Sequence, residues 1–539
     1  MTEVLSRPRG RITVGAFRAR LRRDKVVEKS NGSGRGTRAP DAHAVRSRMR
    51  MLRNVGLALF GLQLAGLLVW SAFVYHRFSL TPDYVGAAQA WYLMAHGHLN
   101  PLVTDWGERW LTDHSEAFVL WLAPLWWVWP HPIVLLWFQD LTVVVAEAVA
   151  FVWIVELVSE RFELLSQHTP RAYRRGWQTT LSGYWRAPTA PLVVASVGLL
   201  LLLANPWPYW AASFDFHGEV IGACFAILSA YDLAHRRWRS LLWIVLTLSC
   251  GDVGATYVFG VGLSAILAGR ATRKAGLAIC GMGLGAVLVV TAAGSNVGSG
   301  LGVYVPGKSG GPQTGVQSVV NILKAVFTRP LAYLHPLRQH ALNIYANVAP
   351  VGVIGLATAW GFGVPFVVLV SNNLRTGLSI TASQNMPIYG FIALGSVVVV
   401  MLLVRRFPTL ATVLALALVV NAVAWSAVWV PRTKSQWVRV SSGAAHVISS
   451  VASRIPVGDE VVASHGISGS LAARPYFLTL GAGVPILTRN VWFVVTPQQG
   501  IELETVPDEM ADLSAIAQQS QLVAHGSGVW IFRYRAAPG

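Results

Sequence analysis

Repeated apolar runs of about 15–25 residues, each bounded by clusters of arginine, leave few folds open to this chain. A run of that length spans a bilayer only as a helix or a closed barrel strand, because hydrocarbon offers no partner to a free backbone N–H or C=O. Runs of this length bounded by arginine clusters read as helical crossings. Composition separates a bilayer from a large soluble core. The chain has 539 residues, 53% hydrophobic and only 13% charged, against roughly 25% charged in soluble domains, and its mean hydropathy is +0.48. The expectation is an all-α polytopic membrane protein.

The charge of +18 is distributed as an orientation signal. Residues 1–53 hold 15 basic side chains against four acidic ones, +11 of the total. Most other arginines lie in short loops, which is the positive-inside pattern rather than a nucleic-acid face. This basic arm, 1–53, reads as disordered, cytoplasmic and in contact with anionic membrane lipid, and no nucleic-acid partner is expected. Cys224, Cys250 and Cys280 lie in or beside apolar runs, so no disulfide framework is expected.

A first span over 54–75 comes too late, and lacks the cleavage site, to be a removable signal. The polar segment 79–116 follows, and then 117–130, a 14-residue run with four Trp. That run is short for a crossing and reads as an interfacial helix. The span 132–157 then returns Arg161, Arg171, Arg174, Arg175 and Arg186 to the side of the basic arm. Spans at 189–212, 220–234, 240–250, 255–268 and 275–293 alternate from there. The Gly/Ser/Pro-rich section 295–343 reads as an external loop with a short helix near 317–328. The stretch 344–371 carries Trp360-Gly361-Phe362-Gly363-Val364-Pro365 and reads as two half-length helices broken there. Spans at 388–404 and 408–430 complete about eleven transmembrane helices within a domain over 54–430. The N-terminus is then cytoplasmic and the C-terminus extracytoplasmic. The tail, 431–539, has strand-like runs at Glu460–Ser464, Val491–Thr496 and Val529–Tyr534 and a helical pattern over Pro507–Ser520. It reads as a small extracytoplasmic α/β domain.

Between two of the spans lies Phe214-Asp215-Phe216-His217-Gly218-Glu219. An extended chain would put Asp215, His217 and Glu219 on one side, and a helix would still pair Asp215 with Glu219. Isolated acids at helix ends are usually caps or wet loop groups, as Asp105 and Glu108 are expected to be. Three ionisable groups together beside a span more often mark a site. By the same topology Asp83, Asp113, His114 and Asp252 share the external face with them. Carboxylates and histidine there suit general-base chemistry or a divalent cation such as Mg or Mn, with Asp215, His217 and Glu219 as its ligands. The chain has no GK[ST] phosphate loop, no HExxH and no paired CxxC, so an ATP-driven pump or a zinc protease is unsupported.

Ser79-Leu80-Thr81-Pro82-Asp83-Tyr84, Asp113-His114-Ser115, the Pro-terminated Leu/Trp run, Phe214-Asp215-Phe216-His217-Gly218-Glu219 and Gly251-Asp252-Val253-Gly254 together resemble an uncharacterised bacterial family of predicted membrane proteins. That family is grouped with the GT-C glycosyltransferases, and the resemblance covers about 55–500. Relatives often read Asp-His-Phe at 113–115, Lys-Glu-Asp at 250–252, and a His-Tyr pair near Pro387-Ile388-Tyr389. The resemblance implies a bacterial cytoplasmic-membrane enzyme of GT-C-like fold. It would move a sugar from a polyprenyl-phosphate donor to a cell-envelope glycan or glycolipid acceptor on the outer face. It gives the catalytic base to Asp83, with Asp113 as competitor. His114, Asp215, His217, Glu219 and Asp252 would then line the donor-phosphate or metal end. A transporter or flippase, built on the break at 360–365, and a catalytically degenerate scaffold are the rival readings.

Overall fold

The computed structural model describes residues 42–113, 115–168, 189–292, 304, 315–374, 382–481, 485–497 and 506–536. Residues 1–41 of the basic arm, His114, Arg171, Arg174, Arg175, Arg186 and most of 295–314 lie outside the described residues.

The chain enters through α1 (Ala42–His76), a 35-residue helix, and turns at Thr81 into α2 (Pro82–Ala95). A two-residue hairpin, β1 (Leu102–Val103) with β2 (Glu108–Arg109), leads to the short helix Trp110–Asp113 and to α3 (Phe118–Val128). With 11 residues and Pro124 inside, α3 is shorter than a span. It lies on α2 instead, where Trp91 Nε1 donates to Leu122 O and Trp127 Nε1 to Ala95 O.

Three helices follow, α4 (Ile133–His168), α5 (Ala190–Leu203) and α6 (Pro206–Ser213). Next come α7 (Gly218–Ala234), α8 (Arg239–Leu248), α9 (Asp252–Ala268) and α10 (Arg270–Ala292). After α11 (Gly315–Thr328) a chain of short turns reaches α12 (Ala341–Val348) and α13 (Ala359–Leu374), then α14 (Ala382–Arg406) and α15 (Pro408–Trp429). Among the described residues six helices are long and apolar enough to cross a membrane: Val45–His76, Ile133–Phe162, Ala190–Ser213, Arg270–Ala292, Ser383–Val404 and Pro408–Ser435. The helices at 118–128, 239–248, 253–268 and 359–374 are apolar but shorter.

The bundle core is apolar, with α4, α5, α7, α9 and α14 contributing fully buried Val, Ile, Leu and Ala. Two of its buried acids are paired across helices, which offsets part of the cost of burying them. Gln63 Nε2 of α1 donates to Glu147 of α4 at 2.7 Å, and Ser71 Oγ donates to Asp140 at 2.7 Å.

The break expected at Trp360–Pro365 falls elsewhere. Those residues sit inside α13, whose Pro365 is buried, and the chain is interrupted earlier, over two 3₁₀ turns, Ala349–Val351 and Val353–Ala357. Gly352 between them has φ +92°, a conformation that glycine reaches without steric cost. The glycines of α13 serve contact instead. A Cβ on Gly363 would lie 2.4 Å from the backbone N of Ser264, so only glycine lets α13 and α9 approach this closely.

Beyond α15 lie α16 (Arg432–Trp437) and α17 (Ser442–Ala452) and then a five-stranded mixed sheet. It contains β3 (Glu460–Ala463), β4 (Phe477–Thr479) and β5 (Asn490–Val495), then, after α18 (Val506–Gln519), β6 (Gln521–Gly526) and β7 (Val529–Arg535). The order is β4-β3-β5-β7-β6. β3 pairs parallel with β4 and β5, and β7 pairs antiparallel with β5 and β6. All four residues of β3 are buried, as expected of a central parallel strand.

The sheet is seated on α2 and the hairpin. Gly469 N donates to Leu80 O, Ser470 Oγ to Tyr75 O, and Gln89 Nε2 to Arg474 O and Pro475 O. Thr104 exchanges hydrogen bonds with the Phe477 backbone, and Thr479 N donates to Asp105. A Cβ on Gly469 would lie 2.5 Å from Leu80 Cβ, so the approach depends on glycine there.

Candidate functional site

Thr81-Pro82-Asp83-Tyr84 opens α2 in the manner favoured by sequence: Thr at the N-cap, Pro at the first helical position and an acid in the first turn. The cap oxygen comes from 134 residues away. Asp215 is 1% exposed and both of its carboxylate oxygens are taken up by Thr81, which donates its N–H at 3.0–3.1 Å and also its hydroxyl. Burial holds the Asp215 carboxyl well above the usual range, and the neighbouring charge of Asp83 pushes the same way; N–H groups of Thr81 and Tyr84 oppose this. Asp83 itself is exposed. The buried acid thus fixes the helix end and the exposed acid is displayed by it.

The turn that carries Asp215 is held by one side chain invisible to motif reading. Gln139 of α4 is fully buried. Its Nε2 donates to Ala211 O and Asp215 O, and its Oε1 accepts from His217 N at 2.7 Å. All of its polar atoms are therefore used on the turn joining α6 and α7.

His217 is the N-cap of α7 and has extended backbone, so the helix begins one residue later at Gly218. Its Nδ1 lies 3.8 Å from Glu219 Oε2, and its ring stacks on Phe214 with centroids 5.5 Å apart. Glu116, just past His114, is 7% exposed and lies over the start of the same helix. A Cβ on Gly218 would meet its Oε1 at 2.6 Å. A carboxylate there is favoured by the positive end of α7.

The structure therefore brings Asp215 to Asp83 and His217 to Glu219, but not Asp215 into one ligand set with the other two. Asp113 ends the short helix before the α3 segment, and Asp252 begins α9 behind Gly251, which has φ +88°. Both are described in backbone only, and His114 lies outside the described residues. Phe118 N donates to Ser249 O, so the chain just past 113–116 is tied to the chain just before Asp252. Among the described residues no three His, Cys, Asp or Glu side chains converge as a metal cage. Sequence reasoning missed Gln139 and Glu116; the first lies in an apolar run and carries no local signal.

Residues 86–521 match the family described as "Predicted membrane protein (DUF2079)". The chain belongs to this family. None of the curated proteins matches it. Among solved structures, ArnT from Cupriavidus metallidurans, crystallised with undecaprenyl phosphate, is similar at a TM-score of 0.41 and 12% identity. The similarity covers 88% of this family member and 97% of ArnT.

Proposed function

We propose that this family member transfers a sugar from a polyprenyl-phosphate donor to a cell-envelope glycan or glycolipid acceptor, with Asp83 as general base. The resemblance of its motifs to a family grouped with the GT-C glycosyltransferases supplies the reaction class. The observation that carries the assignment is the pairing of an exposed Asp83 with a buried Asp215 that clamps the helix displaying it. A general base works best when held rigidly at the protein surface where substrate arrives. In the proposed step Asp83 takes the acceptor hydroxyl proton as that oxygen bonds to the anomeric carbon. The bond from carbon to phosphate oxygen breaks, and the lipid phosphate leaves with the electron pair. The reading includes about eleven crossings, an external sheet and a site on the outer face. The described carboxylates and His217 do not form a cation cage, so no step is drawn through a metal.

Asp83→Asn should lower transfer by about 10²-fold or more while leaving the melting temperature unchanged, since the side chain is exposed. Wild-type transfer by that variant, in membranes supplied with lipid-linked sugar, would overturn the assignment.

Transport is a second reading. It no longer has a helix break at 360–365, but Asp140 and Glu147 give it buried acids within a span. Asp140→Asn should abolish solute flux if the protein is a transporter, and should leave transfer by folded protein intact if it is not.

A further inference from the structure

α11 presents two unlike faces. Val320, Leu323, Val326 and Phe327 recur at three- and four-residue spacing and are all exposed, Phe327 to 83%. Gln317, Asn321, Lys324 and Thr328 take another side, where Gln317 Nε2 donates to Asn321 Oδ1 at 3.2 Å and Thr328 Oγ1 to Lys324 O at 2.8 Å. At 14 residues the helix is too short to cross a bilayer, and its uncovered apolar stripe has the form of a helix lying in an interface. Apolar exposure continues past its end at Leu331, 75% exposed, and at Leu342.

The neighbours of this segment place it at one end of the bundle. α11 packs on α10, a span with little of its surface buried by other helices. The six-residue helix Leu334–Gln339 packs on α13, and His340 Nδ1 lies 2.9 Å from Asn373 O in the last turn of α13. There Asn372 Nδ2 donates to Asn385 Oδ1 at the start of α14, which carries Arg405 and Arg406 at its far end. Residues 315–345 therefore lie opposite those arginines, at the end that the positive-inside reading makes the outer one.

Charge indicates what covers the stripe. Lys324, Arg329 and Arg338 are exposed along the segment, and no Asp or Glu occurs between Asp252 and Asp459. Orientation gives no reason for cations on the outer side. A second copy meeting this face would set cation against cation. A leaflet holding anionic phospholipid offers both halves of the match, acyl chains for the stripe and phosphates for the cations.

We infer that 315–345 is an amphipathic strap docked in the outer leaflet, with Phe327 among the acyl chains and Lys324, Arg329 and Arg338 on the phosphates of anionic phospholipid. The docking holds whichever reaction the site performs.

The test places a nitrobenzoxadiazole label at 327 through Phe327→Cys in a Cys280→Ser background, Cys224 and Cys250 being buried. The purified full chain is set in nanodiscs of phosphatidylcholine and phosphatidylglycerol, with doxyl-labelled chains on one lipid or the other. Labelled phosphatidylglycerol should quench about twofold or more above labelled phosphatidylcholine at equal mole fraction. About 1 M salt should remove the difference. Lys324→Gln, Arg329→Gln and Arg338→Gln combined, all at exposed positions, should remove it too and leave quenching by phosphatidylcholine in place. A label at 328, through Thr328→Cys, should be quenched less by both lipids and emit as in water. Equal quenching by the two lipids would overturn the headgroup assignment, as would a triple variant that behaves like wild type. Failure of both lipids to quench at 327 would overturn the docking itself. Emission as in water would then mean a solvated face, and blue-shifted emission a face covered by protein.

Discussion

Asp215 and Asp83 show how two carboxylates in one region take different work. Asp215 has no access to solvent, and its oxygens meet the N–H and hydroxyl of Thr81. Asp215→Ala leaves the α2 terminus without its cap and should cost about 1–2 kcal/mol in unfolding free energy. It should also lower transfer by letting Asp83 drift. Asp215→Asn keeps an oxygen toward Thr81 N–H and should retain most activity, where Asp83→Asn does not. Equal loss of transfer in Asp215→Asn and Asp83→Asn, with both folded by melting temperature, would mean that Asp215 contacts the reacting groups itself. The polar run 214–219 was legible from its composition, and the sharing of work within it was not. Period-two alternation stops at His217 because a helix starts at Gly218. The partners Thr81 and Gln139 lie 134 and 78 residues away, distances over which a single sequence carries no pairing information.

At the scale of elements, glycine and proline mislead when they serve packing. Trp360–Pro365 has the composition of a broken helix, yet Gly363 faces Ser264 of α9 and Val364 N donates to Ser264 Oγ at 3.2 Å. The backbone beside Pro365 is thus met by a side chain of the neighbouring helix, a contact of the kind that lets Pro persist in apolar helices. Gly363→Ala would put its Cβ 2.4 Å from the Ser264 backbone N, which cannot move without shifting α9. Overpacking of that kind costs typically about 1–3 kcal/mol, so the melting temperature should fall. Gly61→Ala in α1, where a Cβ meets nothing within 4 Å, should be neutral or stabilising. Equal melting of the two variants would refute the close-contact role. The strands of the tail were readable because Glu460–Ala463, Asn490–Val495 and Val529–Arg535 are dense in β-branched and aromatic residues. β4, three residues long, and β6, with Gln521 and a bulge, fall below that signal.

For the whole molecule, the seam between bundle and sheet is the feature that the sequence hid most fully and that shapes the site most directly. α2 presents Asp83 on one side of the seam, and the sheet is accepted by Leu80 just before the helix, by Gln89 within it and by the hairpin. Asp105, which looked like an ordinary loop acid, is half-buried there and accepts from Thr479 N–H. Burial raises its carboxyl above the ordinary value; the Thr479 hydrogen bonds and His465 pull it back only in part. A group with a raised folded-state pKa contributes stability that is complete below the unfolded-state value and is lost as pH rises through the folded-state value. The seam should therefore tighten as pH falls from neutral toward about 4. Asp105→Asn keeps an oxygen for Thr479 N–H but removes the charge. It should be at least as stable as wild type at pH 7, and should lose this part of the gain on acidification. Thermal unfolding across that pH range in detergent reads both. A variant less stable than wild type at pH 7 with an unchanged acid limb would show that the ionised carboxylate, rather than the shape and acceptor of the side chain, holds the sheet against α2.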